Sequence, residues 1–69
     1  MRVSMSRHLV KRLKDRHILE QEVIDAVDYP EKVLKKGRLY FYRKKLDRGI
    51  IEVVVERTSF IYVITVYWV

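Results

Sequence analysis

The N-terminal part of the chain spaces its hydrophobic residues at the period of an amphipathic helix. Leu9, Leu13 and His17 fall on one arc of a helical wheel. Ser6 precedes them and is suited to the N-cap position, because its hydroxyl can accept a hydrogen bond from a backbone N–H of the first turn. We therefore predict a first helix over residues 7–16 with the leucines of this arc buried, and His17 either in the core or at the helix end.

A second run of helical period follows. Val23 and Val27 lie four residues apart on one face, and Glu20 supplies the negative charge that favours a helix N-terminus. Pro30 ends the run, because the residue before a proline avoids helical geometry. The pattern predicts a second helix over residues 20–28.

After Pro30 the hydrophobic period changes from 3.6 to 2, which is typical of β-strands. Val53 and Val55 share one face of such a strand, and Glu52 lies on the other. Four strands are predicted, at residues 32–36, 39–46, 50–57 and 60–68. Together the elements predict an α+β fold in which two N-terminal helices pack on one face of a three- to four-stranded antiparallel sheet.

The whole chain, residues 1–69, is expected to form one domain, because so short a chain cannot enclose a second core. The helical and strand periods also predict which hydrophobic side chains form that core. We expect these residues to be buried together: Leu9, Leu13, Val23, Val27, Val53, Val55 and Ile64.

Composition excludes several classes of chemistry. The absence of cysteine excludes disulfides, thiolate zinc sites and cysteine nucleophiles. No cofactor is expected and no metal site, because the two histidines lie on different faces of the first helix. Residues 1–10 lack the apolar stretch of a secretory signal peptide, and the apolar run 60–69 is about half of the roughly 20 residues that a membrane-spanning helix needs. We expect a cytoplasmic protein that does not contact membranes.

The net charge of +6 is distributed in blocks. Residues 1–19 contain six basic residues and one aspartate, and residues 32–48 contain eight basic residues and one aspartate. Between them, residues 20–31 contain five acidic residues and no basic residue. Two basic segments indicate a surface for a polyanion, with RNA as the first candidate, and an acidic protein would suit the same surface.

The first candidate site is a stripe of three side chains on the first helix. His8, Arg12 and Arg16 recur at four-residue spacing, which stacks them on one flank. A histidine can transfer protons near neutral pH, and two guanidinium groups can hold a phosphate and its developing charge. These are the groups needed for RNA cleavage by attack of a 2′-hydroxyl. The alternative is that they bind the acidic second helix or backbone carbonyls.

The second candidate site interleaves aromatic and basic side chains, as RNA-binding surfaces do when rings stack on bases and cations neutralise phosphates. The set comprises Arg38, Tyr40, Tyr42, Arg43, Lys44 and Lys45. Tyr40 and Tyr42 share one strand face and Arg43 lies on the other, so only part of the set can face one ligand. The alternative is an edge hairpin whose lysines oppose strand-to-strand aggregation.

Several short motifs follow one another along the chain: His8, Arg12, Arg16-His17-Ile18, Glu22-Val23, Pro30-Glu31-Lys32-Val33, Ile51-Glu52-Val53-Val54-Val55 and Val63-Ile64-Thr65-Val66-Tyr67. In this order they resemble the domain-of-unknown-function 4258 family. By this resemblance His8, Arg12 and Arg16 match the opening motif, and Thr65 and Tyr67 match the closing one. His17 stands where the family has glycine, so the first helix is expected to end on a non-glycine residue in left-handed geometry.

The resemblance implies a fold similar to the RelE/ParE and BrnT toxins, many of which cut messenger RNA and pair with an antitoxin. The first hypothesis is therefore a toxin-like RNA-binding protein that acts as an mRNA interferase, with an acidic antitoxin as partner. In it Arg12, Arg16 and Arg43 bind phosphate, and His8 or Tyr67 handles the proton. The alternative is a non-catalytic nucleic-acid- or protein-binding module, which could form a homodimer through its sheet.

Overall fold

The computed structural model describes residues 3–69 and combines two helices with a five-stranded mixed sheet. The elements in chain order are β1 (Val3–Ser4), α1 (Arg7–Asp15), α2 (Glu20–Asp28), β2 (Lys32–Lys36), β3 (Leu39–Leu46), β4 (Gly49–Arg57) and β5 (Ile61–Trp68). The strand order is β1-β5-β4-β3-β2. The predicted α+β class is confirmed.

The prediction of a three- to four-stranded antiparallel sheet is wrong on two counts. The sheet has a fifth strand, β1, that was not predicted from the sequence. This strand pairs with β5 in parallel. The strands from β2 to β5 pair antiparallel with one another, as expected for a meander with short turns. Parallel pairing is available to β1 because α1 and the rest of the chain separate it from β5.

Both helices begin with a local hydrogen bond to a free backbone N–H. The Ser6 hydroxyl accepts from the Leu9 N–H at 3.1 Å, as predicted for an N-cap. The second helix has Leu19 at its N-cap, and the Leu19 N–H instead donates to a carboxylate oxygen of Glu22 at 2.9 Å. This bond is the half of a capping box that does not depend on the side chain at the N-cap.

The first helix ends with His17 in the left-handed conformation, at a φ of 58°. The His17 N–H donates to the Lys14 carbonyl at 3.1 Å, and the Ile18 N–H donates to the Leu13 carbonyl at 2.9 Å. This pair of bonds is a Schellman motif, in which glycine usually occupies the left-handed position. The expected left-handed non-glycine residue is confirmed.

The core lies between the two helices and one face of the sheet. Six of the seven residues predicted for the core are buried: Leu9, Leu13, Val23, Val27, Val53 and Val55. The prediction for Ile64 is wrong, since its side chain is 52% exposed. Val54 pairs with Thr65 and Val55 pairs with Val63, so Ile64 is the extra residue of a β-bulge and leaves the core side of the strand.

Strand alternation assigns the remaining side chains to two faces. Val53 and Val55 pack toward the helices, and their sheet neighbours Tyr42 and Tyr40 lie on the same helix-covered face. Within residues 3–69 no helix covers the other face, which we call the open face. Glu52 lies on the open face and is nevertheless only 7% exposed.

Candidate functional site

His8 and Arg12 line one pocket between α1 and the outer edge of β5. The pocket has a volume of about 240 Å³, and its other lining residues are Ser6, Leu9, Ile64 and Thr65. We call it the α1–β5 pocket. It lies beyond the point where β1 ends, since β1 pairs only with Ile61 and Tyr62 of this edge. One turn of helix and one β-bulge therefore bring an imidazole, a guanidinium and a hydroxyl to one opening.

The two basic side chains that line the α1–β5 pocket, those of His8 and Arg12, are available to a ligand. His8 and Arg12 are exposed, and neither side chain is hydrogen-bonded or ion-paired within the described part of the chain. A guanidinium without an internal partner can donate several N–H groups to a phosphate in a planar fork. An imidazole one helical turn away can accept or donate a proton near that phosphate.

Arg16, the third member of the stripe, is engaged by the backbone. Its guanidinium donates from Nη1 to the carbonyl of Val66 in β5. Its own carbonyl accepts a 2.7 Å hydrogen bond from the indole Nε1 of Trp68. Both bonds connect the end of α1 to β5. The bond from Arg16 to the Val66 carbonyl corresponds to the alternative, raised from the sequence, that the stripe binds backbone carbonyls. Arg16 is therefore not brought to the α1–β5 pocket.

Tyr67 lies on the open face and away from the stripe on α1. Its hydroxyl donates to the Glu52 carboxylate, and Arg43 Nε donates to the same carboxylate at 2.9 Å. The Tyr67 hydroxyl lowers the pKa of Glu52, and the adjacent Arg43 lowers it further. The same bond and burial raise the pKa of the Tyr67 hydroxyl. The structure therefore does not bring Tyr67 together with His8 and Arg12, although the first hypothesis assigns all three to one reaction.

A row of four polar side chains crosses the open face. Lys32 pairs with Arg43, Arg43 with Glu52, and Glu52 with Tyr67, so the row spans β2 to β5. Arg43 and Tyr67 flank Glu52 in this row and donate to its nearly buried carboxylate from both sides. A pocket of about 220 Å³ borders the row, lined by Leu34, Lys36, Phe41, Arg43 and Glu52. We call it the open-face pocket.

The aromatic part of the second predicted site is directed to the helix-covered face. Tyr40 and Tyr42 stack with ring centroids 6.0 Å apart. Tyr42 is buried, and its hydroxyl accepts a 2.8 Å hydrogen bond from Arg57. Tyr40 is half-buried, with Lys35 and Arg57 within 5.5 Å of its ring centre. These rings are thus covered in large part by the protein itself.

The basic part of that site is divided between the faces. Lys44 donates to the Tyr29 carbonyl at 2.8 Å and lies 3.6 Å from the Glu31 carboxylate. The backbone N–H of Lys45 donates to the Glu31 carboxylate at 2.9 Å, and this bond lowers the pKa of Glu31. The Lys45 side chain is exposed. Arg38 is exposed in the turn between β2 and β3. Arg43 lines the open-face pocket.

Glu22, one of the acidic side chains of the second helix, is ion-paired from the β3–β4 turn. Arg48 donates from Nη2 to the Glu22 carboxylate at 2.8 Å and to the His17 carbonyl at 3.2 Å. The Arg48 bond lowers the pKa of Glu22, and Glu22 in turn raises the pKa of Arg48. Among residues 3–69 no acidic side chain forms an ion pair with a basic side chain of α1.

Glu52 is the functional candidate that sequence reasoning missed. Alternation places it on the polar face of β4, but only the register reveals that Arg43 and Tyr67 flank it. A single glutamate in a run of β-branched residues is the signal that could have identified it. Among residues 3–69 there is no group of three His, Cys, Asp or Glu side chains that could hold a metal ion, and no helix long and apolar enough to cross a membrane.

Comparison with known proteins identifies one family. A family described as Domain of unknown function (DUF4258) matches residues 5–68, which is nearly the whole chain. No curated protein matches the sequence. No solved structure matches it either.

Proposed function

We propose that this chain, which belongs to the DUF4258 family, is a toxin-like RNA-binding protein that contacts RNA phosphates at the α1–β5 pocket. The observation that carries the proposal is that His8 and Arg12 lie side by side at one pocket. The two side chains share one pocket, have no partner among residues 3–69 and lie on a helix of strongly basic surface. Phosphate is the RNA group that such a pair would recognise.

The same two residues supply the groups for RNA cleavage. In this reaction the 2′-hydroxyl oxygen attacks the adjacent phosphorus, the bond from phosphorus to the 5′-oxygen breaks, and a cyclic phosphate forms. His8 accepts the proton of the 2′-hydroxyl, and Arg12 stabilises the charge that develops on the phosphate oxygens. The leaving 5′-oxygen takes a proton from solvent water and departs as a hydroxyl group. Thr65 adds a hydroxyl that can hold the ribose or the phosphate. Arg16 and Tyr67 act structurally in this scheme.

An acidic antitoxin is the partner that this scheme implies. Arg7 and Lys11 project from α1 in addition to Arg12, and the described chain pairs neither of them with an acidic side chain. An acidic segment laid along α1 would neutralise this surface and cover the α1–β5 pocket. RNA and antitoxin would then compete for one site.

Incubation of the purified chain with a labelled single-stranded RNA tests the proposal. Wild type should bind the RNA and convert it to shorter products, and His8→Ala should retain binding while cleavage falls by about 100-fold or more. Native folding of the variant is checked by its NMR spectrum, since His8 is exposed and lies outside the core. Absence of RNA binding by wild type would refute the proposal. Equal cleavage by natively folded His8→Ala would remove His8 from the chemistry, and RNA binding without cleavage by wild type would leave a binding protein.

A non-catalytic protein-binding role is the second candidate, and one observation favours it. Phe60, Tyr62 and Ile64 form an exposed hydrophobic stripe along the β5 end of the sheet, each more than 40% exposed. Exposed apolar patches of this kind mark association surfaces, including those of homodimers. Sedimentation of wild type and Tyr62→Ser separates the cases: a dimer that dissociates in the variant supports this role, and a monomer in both excludes the homodimer.

A further inference from the structure

Arg43 is held in place by the protein while part of its guanidinium faces solvent. It binds Glu52 through Nε only, and within residues 3–69 neither Nη group has a hydrogen-bond partner. Its side chain is 38% exposed and lines the open-face pocket. Glu52 is in turn fixed by the Tyr67 hydroxyl. The arginine is therefore oriented in advance, with two donor groups left for a ligand.

The floor of the open-face pocket is apolar and next to that guanidinium. Leu34 and Phe41 are direct cross-strand neighbours in the row adjacent to the one that contains Arg43. Leu34 is 45% exposed and Phe41 is half-buried, so both present surface to a ligand. A flat ring could lie on these side chains while an anionic group attached to it contacts Arg43.

The charges around the pocket favour an anion. Lys32 and Lys36 lie on the same face as Arg43, at the two ends of β2. The negative charge of Glu52 is compensated by Arg43 and by the Tyr67 hydroxyl. The remaining field is positive, and the pocket volume of about 220 Å³ suits a small group that joins a ring to an anion.

We infer that the open-face pocket is a nucleotide subsite for single-stranded RNA, in which Arg43 binds the phosphate and Phe41 with Leu34 supports the base. The inference rests on the proposed function and adds to it a second contact, on a different face of the sheet from the α1–β5 pocket. Glu52 and Tyr67 serve as positioning residues for Arg43. An acidic peptide could satisfy the lysines and Arg43, but the apolar ring platform favours a base.

NMR titration of the full-length chain with adenosine monophosphate, adenosine and inorganic phosphate tests the subsite. The monophosphate should shift the backbone amide signals of β2 and β3, and adenosine and phosphate should each bind about tenfold more weakly, since each retains one half of the contact. Equal shifts by phosphate alone would overturn the role of the base. Shifts confined to α1 and β5 would overturn the subsite.

A charge-neutral variant shows whether the guanidinium itself binds. The double substitution Arg43→Gln with Glu52→Gln leaves the net charge unchanged and avoids burying an unpaired carboxylate. It should weaken both the monophosphate and a 12-nucleotide RNA by about tenfold or more, whereas the exposed Lys14→Gln should change the binding of either by about twofold or less. Unchanged monophosphate binding in a natively folded double variant would overturn the inference.

Failure of the subsite can be told apart from failure of the proposed function. If RNA binds wild type tightly and the double variant equally well, the subsite is absent and the α1–β5 pocket alone contacts RNA. If RNA does not bind wild type at all, the proposed function fails, whatever the monophosphate does. Displacement of the monophosphate by an acidic, aromatic peptide but not by RNA would replace RNA with a protein partner.

Discussion

The Tyr67 hydroxyl donates a hydrogen bond to the carboxylate of Glu52, its direct neighbour across β4 and β5, on the face of the sheet that no helix of the described chain covers. A carboxylate that is 7% exposed must be satisfied by such donors, because an unpaired buried charge is costly. The bond therefore stabilises the Glu52 carboxylate on the open face. It also fixes the carboxylate to which Arg43 is bonded, and so orients Arg43.

Tyr67→Phe should lower the free energy of unfolding by about 1–3 kcal/mol, because it removes one donor from a nearly buried carboxylate. Urea denaturation at pH 7 measures the change. The matched control is Tyr62→Phe, which removes a hydroxyl from an exposed tyrosine of the same strand and face. The control should change the free energy of unfolding by less than about 0.5 kcal/mol. Equal effects of the two substitutions would contradict the account of this bond.

The lowered pKa of Glu52 predicts a stability that depends on pH. A carboxyl whose pKa is lower in the folded state stabilises the fold above its unfolded pKa of about 4.3, and this contribution is lost as pH falls through the folded pKa. Wild type should thus lose more stability than Glu52→Gln between pH 6 and pH 2. Urea denaturation at several pH values provides the comparison, and parallel pH profiles would be inconsistent with the ion pair.

The raised pKa of Tyr67 predicts a pH dependence of stability opposite to that of Glu52. Its contribution is present below the unfolded tyrosine pKa of about 10 and is lost as pH rises through the folded value. At alkaline pH, Tyr67→Phe should therefore change the free energy of unfolding less in the Glu52→Gln background than in wild type. The chain has five tyrosines, so the difference in tyrosinate absorbance at 295 nm between wild type and Tyr67→Phe reports the titration of Tyr67.

His17→Gly should stabilise the protein by about 0.5–1 kcal/mol. His17 has a φ of 58°, and glycine adopts this left-handed conformation without the steric cost that a Cβ imposes. The Arg48 bond to the His17 carbonyl involves the backbone and is retained. Thermal unfolding measures the effect, with His17→Ala as the control that removes the imidazole but keeps the Cβ. A less stable glycine variant would show that the imidazole itself stabilises the turn.

Arg16→Gln should destabilise the fold by about 1–3 kcal/mol, because the guanidinium bonded to the Val66 carbonyl is a charged donor in a partly buried site. Lys14→Gln removes an exposed charge from the same helix and should have an effect below about 0.5 kcal/mol. Comparison of the two by urea denaturation distinguishes a structural Arg16 from a ligand-binding one. A fully stable Arg16→Gln variant with impaired RNA binding would return Arg16 to the site.

The helices and long strands could be predicted from the sequence because their side chains follow a clear period. Leu9 and Leu13 lie four residues apart in α1, and Val53 alternates with Glu52 in β4. Val3–Ser4 was missed because two residues cannot display a period, and their pairing with β5 depends on tertiary structure. Ile64 was placed on the wrong face because a bulge shifts the alternation after Val63 without a glycine to mark it.

The candidate site could be predicted only in part. Four-residue spacing identified His8 and Arg12 as neighbours, and the structure places both in one pocket. The same spacing could not show that Arg16 is bound to a carbonyl of β5, because that contact joins residues 50 positions apart. Nor could it reveal that Tyr67 lies opposite Glu52, since cross-strand partners depend on the register.

The salt dependence of RNA affinity in Arg12→Gln tests the central claim most directly. Wild type should bind a 12-nucleotide single-stranded RNA with an affinity that falls steeply with salt, because phosphate contacts release counterions. Arg12→Gln should bind about tenfold more weakly at low salt and flatten the log–log slope by about 0.7, the value of one lost phosphate contact on a single strand. Lys14 lies about 200° around the helix from Arg12, so Lys14→Gln should leave affinity and slope close to those of wild type. Superimposable salt curves for wild type and Arg12→Gln would contradict an RNA-contacting α1–β5 pocket.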